Sequence, residues 1–151
     1  MVNSDASPVF IDTNILVYAN IQGFPLHQVA LEKIQTFFEA EIDLWISRQV
    51  LREFMVCVTR PQTYAKPQPI KVAIERIQFF QNRFKVADDT PQVTAKLLEI
   101  LRQSSVGGKQ IHDANIVATM LTIGVHRLLT HNTKDFERFS AFIQILPLEF
   151  N

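Results

Sequence analysis

Apolar positions along this chain alternate between short continuous runs and longer stripes at helical spacing. Val9-Phe10-Ile11 is β-branched or aromatic and bounded by polar residues, which predicts a short buried strand. It stops on Asp12, and Ile15 to Ala19 opens a helical pattern. Leu26 to Glu41 predicts a second helix, with Leu26, Val29, Ala30, Ile34, Phe37 and Phe38 recurring at spacings of three and four. Asp43 to Ile46 follows as a second strand. Ser47 stands where it would cap a helix over Arg48 to Thr59, striped by Leu51, Phe54, Met55 and Val58 and ended at Arg60-Pro61. Pro61 to Pro69, with Tyr64 and Lys66, reads as a surface loop, either a lid or substrate contact or an idle connection.

The second half continues the alternation. Ile70 to Phe84 predicts a helix with Ile74, Ile77 and Phe79 or Phe80 inward, and Phe84 to Ala87 a short strand. Asp88 and Asp89 precede Thr90-Pro91 and a helix to Gln103; acids there suit the helix dipole and are assigned to capping. Ser104 to Gln110, with Gly107-Gly108, is a loop. A helix from His112 to Ile123 is closed by Gly124, and Arg127 to Thr130 forms a strand. Asn132 to Phe139 is a short helix, with Phe142 to Leu146 a final strand before Pro147. Strands alternating with helices argue one α/β domain over 1–151, core about 8–147, built as a three-layer sandwich around a central parallel sheet.

Composition narrows the function. At 47% hydrophobic and 20% charged the chain is globular, not disordered. Cys57 is its only cysteine, so no internal disulfide or cysteine-based zinc site is expected, and a reducing cytoplasm fits. No signal peptide and no membrane span are expected. Basic and acidic residues balance at 15 each, with a pI near 6.9, so a nucleic-acid role must rest on local charge. The twelve phenylalanines read as core filling.

Several acids need an explanation. Asp12 lies where a strand ends and a helix begins, the edge at which open α/β sheets bind ligands, although Asp12 or Asn14 would also serve as a helix cap. Glu53 lies off the main stripe of its helix between Val50 and Cys57, either as a functional acid or as a boundary residue paired with Arg52 or Arg60. Asp113 leads a stripe of Ile116, Val117 and Met120; it must be capped, paired (His112 and Asn115 are adjacent) or metal-bound, because an isolated buried charge is costly. Asn132 with Asp135 resembles a capping box. Were these carboxylates to converge, each pair near ~4 Å would cost on the order of 4 kcal/mol at an effective dielectric of 20. A divalent cation removes that penalty, and all-oxygen ligands favour Mg²⁺ or Mn²⁺.

The ordered pieces Val9 to Asn14, Arg52-Glu53-Phe54, Gly108 to Ala118 and Leu128 to Phe136 together resemble a PIN domain, most nearly the VapC-type toxins of bacterial toxin–antitoxin pairs. The resemblance spans about Val9 to Leu146. It implies a metal-dependent endoribonuclease cutting single-stranded or loop RNA, often tRNA or rRNA, cytoplasmic, homodimeric and neutralised by a small antitoxin. It further implies Asp12 and Asp113 as principal ligands of Mg²⁺ or Mn²⁺, Glu53 completing the cluster, and Asn14 holding its geometry. Many relatives carry an acid at the position of Asn132, whereas here the nearby acid is Asp135. It is counted as a fourth acid that either reaches the metal or caps its helix. Thr130 and Asn132 are candidate contacts to water or phosphate, and Lys109 to the RNA backbone. Other readings fit less well: His112-Asp113 lacks the further histidines of an HD phosphohydrolase, and Asp12-Thr13-Asn14 lacks the second acid of a D-x-D phosphatase. The rival to a nuclease is a non-catalytic PIN-like module that binds RNA or protein.

Overall fold

The computed structural model describes residues 5–148. Five parallel strands, β1 (Val9–Ile11), β2 (Leu44–Ser47), β3 (Lys85–Ala87), β4 (Arg127–Thr130) and β5 (Gln144–Pro147), form one sheet in the order β3-β2-β1-β4-β5. The connecting helices are α1 (Thr13–Asn20), α2 (His27–Glu39), α3 (Arg48–Thr59), α4 (Ile70–Arg83), α5 (Pro91–Gln103), α6 (Gln110–Thr122) and α7 (Thr133–Phe136), the last running into a 3₁₀ turn at Glu137–Phe139. Right-handed crossovers put α1 to α4 on one face and α5 to α7 on the other, and helix packing follows that division. The expected sandwich is therefore present. Val9, Phe10 and Ile11 in the central strand are wholly buried, as are Leu128 and Leu129 beside them. A parallel strand covered on both faces has no solvent side, which is why these runs do not alternate.

Because β1 and β4 are neighbours and their following helices lie on opposite faces, their carboxyl ends part to leave a crevice. Asp12 and Thr130 both sit there.

The local signals hold in part. Ser47 accepts from the Val50 N–H and caps α3, and Gly124 closes α6 at φ +74°, with Val125 N–H bonding back to Met120. Elsewhere the chain departs from expectation. On α4 it is Ala73, Ile77 and Phe80 that pack inward, while Ile74 and Phe79 are about half exposed. The stripe through residues 73, 77 and 80 meets α3, where the Phe54 and Phe80 rings stand edge to face at 4.9 Å. Thr90, not Asp88 or Asp89, caps α5, and Asp88 instead pairs with Arg48 at 3.1 Å. Strand β5 lies two residues later at its start than the pattern suggests; Phe142 and Ile143 are spent on the turn that covers Phe139. Pro147 ends β5 at the sheet edge, where a missing N–H costs nothing. Among the described residues no helix is long and apolar enough to cross a membrane.

Candidate active site

Asp12 follows β1 directly and serves as N-cap of α1, the capping role open to it from the sequence. Its Oδ1 accepts from the Thr13 N–H at 2.8 Å, and its Oδ2 accepts from the Thr130 hydroxyl at 2.8 Å. Asn14, the second residue of α1, completes the frame. Its Nδ2 reaches Asp12 Oδ2 at 3.3 Å and Thr130 Oγ1 at 3.4 Å, and its Oδ1 accepts from the His131 N–H at 3.2 Å. The Thr130 hydroxyl also accepts from the Asn132 N–H at 3.0 Å. Thr130 itself is fully buried, so it acts on the site through Asp12.

Glu53 comes from α3. Thr13 donates to its Oε1 at 3.1 Å and Gln49 to its Oε2 at 3.4 Å. Neither Arg52 nor Arg60 forms an ion pair among the described residues, so the expected local pairing of Glu53 is replaced by neutral donors. Gln49 escaped the sequence reading. It is buried, its Nε2 also donates to the His112 carbonyl at 3.0 Å, and its Oε1 accepts from Asn115 at 2.7 Å. Asn115 is thus committed to Gln49 and not to Asp113. The legible signal was position: Gln49 lies one turn before Glu53 on the same helix face.

Asp113 sits in the first turn of α6, half-buried, without a side-chain capping bond. Asp12, Glu53 and Asp113 all line one cavity of about 480 Å³, which also takes in Asn14 and Asn132. Residues 52, 53, 56 and 57 line it from α3, one continuous helix face extended by Arg60 at the helix's C-cap, while Asn14, Val17 and Tyr18 line it from α1.

The charges do not rest easily together. Burial, more than anything else, pushes Asp12 from its ordinary 3.8 up to about 6; bonds from Thr130 and Thr13 oppose this, and the charges of Glu53 and Asp135 add to it. Asp113 is pushed up to about 7, by burial first and then by Asp12, Asp135 and Glu53, with Arg138 the one opposing cation. Asp135 therefore acts electrically on both, although it is exposed and does not line the cavity. The expected capping box is not formed, since Asn132 makes no side-chain cap on the four-residue α7. Lys109 is exposed at the start of α6, away from the cavity lining. Among the described residues no three His, Cys, Asp or Glu side chains already stand as a closed cation cage. The donors are nonetheless all carboxylate oxygens, and burial with the neighbouring charges raises the proton affinity of Asp12 and Asp113, a chemistry that fits a hard divalent ion.

A sequence model of the PIN domain matches residues 9–141. This chain belongs to the PIN domain family. A curated relative, ribonuclease VapC48 of Mycobacterium tuberculosis, is 24% identical over 135 residues, covering 86% of this chain and 90% of the relative. Solved structures share the fold at low identity. A toxin–antitoxin complex from Klebsiella pneumoniae superposes with a TM-score of 0.66 at 18% identity, over 95% of this chain and 99% of that one. VapBC2 of Rickettsia felis, bound to a DNA fragment from its promoter, gives 0.66 at 18% identity over 92% and 97%. The sarcin-ricin-loop-cleaving toxin VapC20 of M. tuberculosis gives 0.64 at 16% identity over 92% and 99%.

Proposed function

We propose that this PIN-domain chain is a metal-dependent endoribonuclease that hydrolyses phosphodiester bonds in single-stranded or loop RNA, and the toxin of a toxin–antitoxin pair. One observation carries the reading: acids from three separate elements, Asp12, Glu53 and Asp113, face a single cavity at the crevice between β1 and β4. The named activity of the VapC48 relative supports RNA as substrate, and the antitoxin complexes among the structural neighbours support a cognate antitoxin as partner. A cytoplasmic homodimer belongs to the same reading.

In this reading Asp12, Asp113 and Glu53 would hold Mg²⁺ or Mn²⁺. When bound, such an ion supplies charge for a phosphate in an in-line displacement and acidifies water. The chain's own residues do the positioning. Thr130 and Asn14 fix the direction of the Asp12 carboxylate, and Thr13 and Gln49 fix that of Glu53. Glu53 orients the attacking water by accepting its hydrogen bond. Asn132 at the cavity rim donates to a phosphate oxygen, Lys109 meets the RNA backbone farther out, and Asp135 adds negative charge behind the site.

The test is cleavage of RNA by the purified protein with and without Mn²⁺. Asp12→Asn and Asp113→Asn are each expected to lower cleavage by at least about 10²-fold while the protein stays folded. Undiminished metal-dependent cleavage in both variants would sink the assignment. RNA binding without cleavage, and no thermal stabilisation by Mn²⁺, would favour a non-catalytic module.

A further inference from the structure

Beyond the acids the cavity continues between α1 and α3, and its walls change character. Along α3 the lining passes from Glu53 through Cys57 to Arg60 at the helix's C-cap, about 10 Å farther on at 1.5 Å per residue. Arg52 and Arg60 are exposed at this cavity, and neither guanidinium forms an ion pair among the described residues; Arg60 touches the Cys57 thiol. Opposite them stand Tyr18 and Phe24, both half-buried, with ring centroids 5.3 Å apart and planes tilted by 45°. Tyr64, from the proline-rich loop, packs edge-on behind Phe24 at 5.8 Å, and Gln62 of that loop lines the cavity. A carboxylate cluster has no use for two unpaired arginines and a half-open aromatic face so close by. An anionic ligand with a flat ring does.

We propose that this arm of the cavity is a nucleotide subsite. It takes one unpaired base against Tyr18 and Phe24, with Arg52 and Arg60 on flanking phosphates and, at the base edge, the amide oxygen of Gln62, whose nitrogen donates to the Cys57 carbonyl. A paired base is stacked and closed off inside its duplex, so the subsite selects single strands and loops. The local cations supply the attraction that a net charge of zero withholds from the molecule as a whole. The proposal rests on the nuclease reading for RNA as the ligand, and it adds where a neighbouring nucleotide goes.

The test uses the full chain and a fluorescein-labelled single-stranded RNA oligonucleotide of mixed sequence, in EDTA so that binding is read apart from cleavage. Anisotropy titrations between roughly 50 and 200 mM salt give affinity and salt slope. Tyr18→Ala is expected to weaken binding about 5- to 100-fold, whereas Tyr18→Phe, which keeps the ring, stays within about twofold. Arg52→Ala and Arg60→Ala are each expected to lower the salt slope by roughly 0.7, the value of one single-strand phosphate contact. Wild-type affinity in folded Tyr18→Ala, or unchanged slopes in both arginine variants, overturns the subsite. So does loss of cognate-antitoxin binding in these variants with RNA affinity intact, which makes the groove a protein site. Cleavage is read separately in Mn²⁺. Intact cleavage with unchanged RNA affinity in the variants counts against the subsite alone. RNA binding with the expected dependences and no cleavage counts against the nuclease reading alone.

Discussion

Asp12 combines two demands that rarely coexist at one residue. It caps a helix, and it keeps a carboxylate in a place where burial disfavours the charge. The pH dependence follows from that conflict. Asp12 and Asp113 titrate in the native state at about 6 and about 7, against 3.8 ordinarily. Between those values the native protein holds protons that the unfolded chain has released. The stability these groups contribute is therefore greatest near pH 4 and falls as pH rises toward 8. Metal-free thermal melts should show this fall as a difference between wild type and the Asp12→Asn/Asp113→Asn double variant, which should be flatter across the window. A wild-type advantage that grows with pH would contradict the assignment. At the same scale, Thr130→Val leaves Asp12 Oδ2 and the Asn132 N–H without their buried partner. Urea titration should show a loss of about 1–3 kcal/mol.

At the scale of elements, two turns carry strain or crowding that can be tested. Helix α2 ends in a Schellman arrangement, with Ile42 N–H bonding to the Phe37 carbonyl at 3.0 Å, but the left-handed position is held by Glu41 at φ 58°. A side chain there costs roughly 1–2 kcal/mol, against 0.5–1 kcal/mol for the freedom that glycine adds to the unfolded chain. Glu41→Gly should accordingly raise Tm by about 2 °C, read by calorimetry. Gly23 shows the opposite need. A Cβ built on it would stand 2.0 Å from the Tyr64 carbonyl oxygen, so the loop of residues 61–69 can lie on the α1–α2 connection only because residue 23 has no side chain. Gly23→Ala should lift that loop, and chymotrypsin should nick it faster after the exposed Tyr64. An unchanged digestion pattern would show that the loop absorbs the methyl group in place. The same loop supplies Gln62 to the cavity and Tyr64 behind Phe24, so its seat matters to the site as well as to stability.

For the molecule as a whole, the site is an assembly problem. Its acids arrive from the end of β1, the middle of α3 and the first turn of α6, and parallel crossovers bring these to the crevice between β1 and β4. Mn²⁺ should relieve their repulsion and raise Tm according to RT ln(1 + [L]/Kd), more at pH 8 than at pH 5.5, because protons compete for the same oxygens. Asp12→Asn should abolish the increment. Equal Mn²⁺ stabilisation at both pH values would place the ion elsewhere.

Apolar runs and caps alone specify most of the elements, because burial periodicity and helix ends are written in neighbouring residues. Val9 to Ile11, the Ser47 cap and Gly124 are of this kind. The acids are legible too, since a carboxylate at a strand end or amid apolar neighbours demands a partner. The partners themselves are not local. Gln49, the buried amide that ties Glu53 to Asn115 and the α6 backbone, lies 66 residues from Asn115. The exposed side of α4 and the ion pair of Asp88 with Arg48 depend likewise on which surface another element covers. Sequence determined the strands, most helices and the acids that need company. Only tertiary structure decided that Thr13 and Gln49, not an arginine, hold Glu53, and that Asp12 gains its proton affinity from burial at a crevice no single element possesses. Desolvation and long-range hydrogen bonding act through space, and the chain order does not record them.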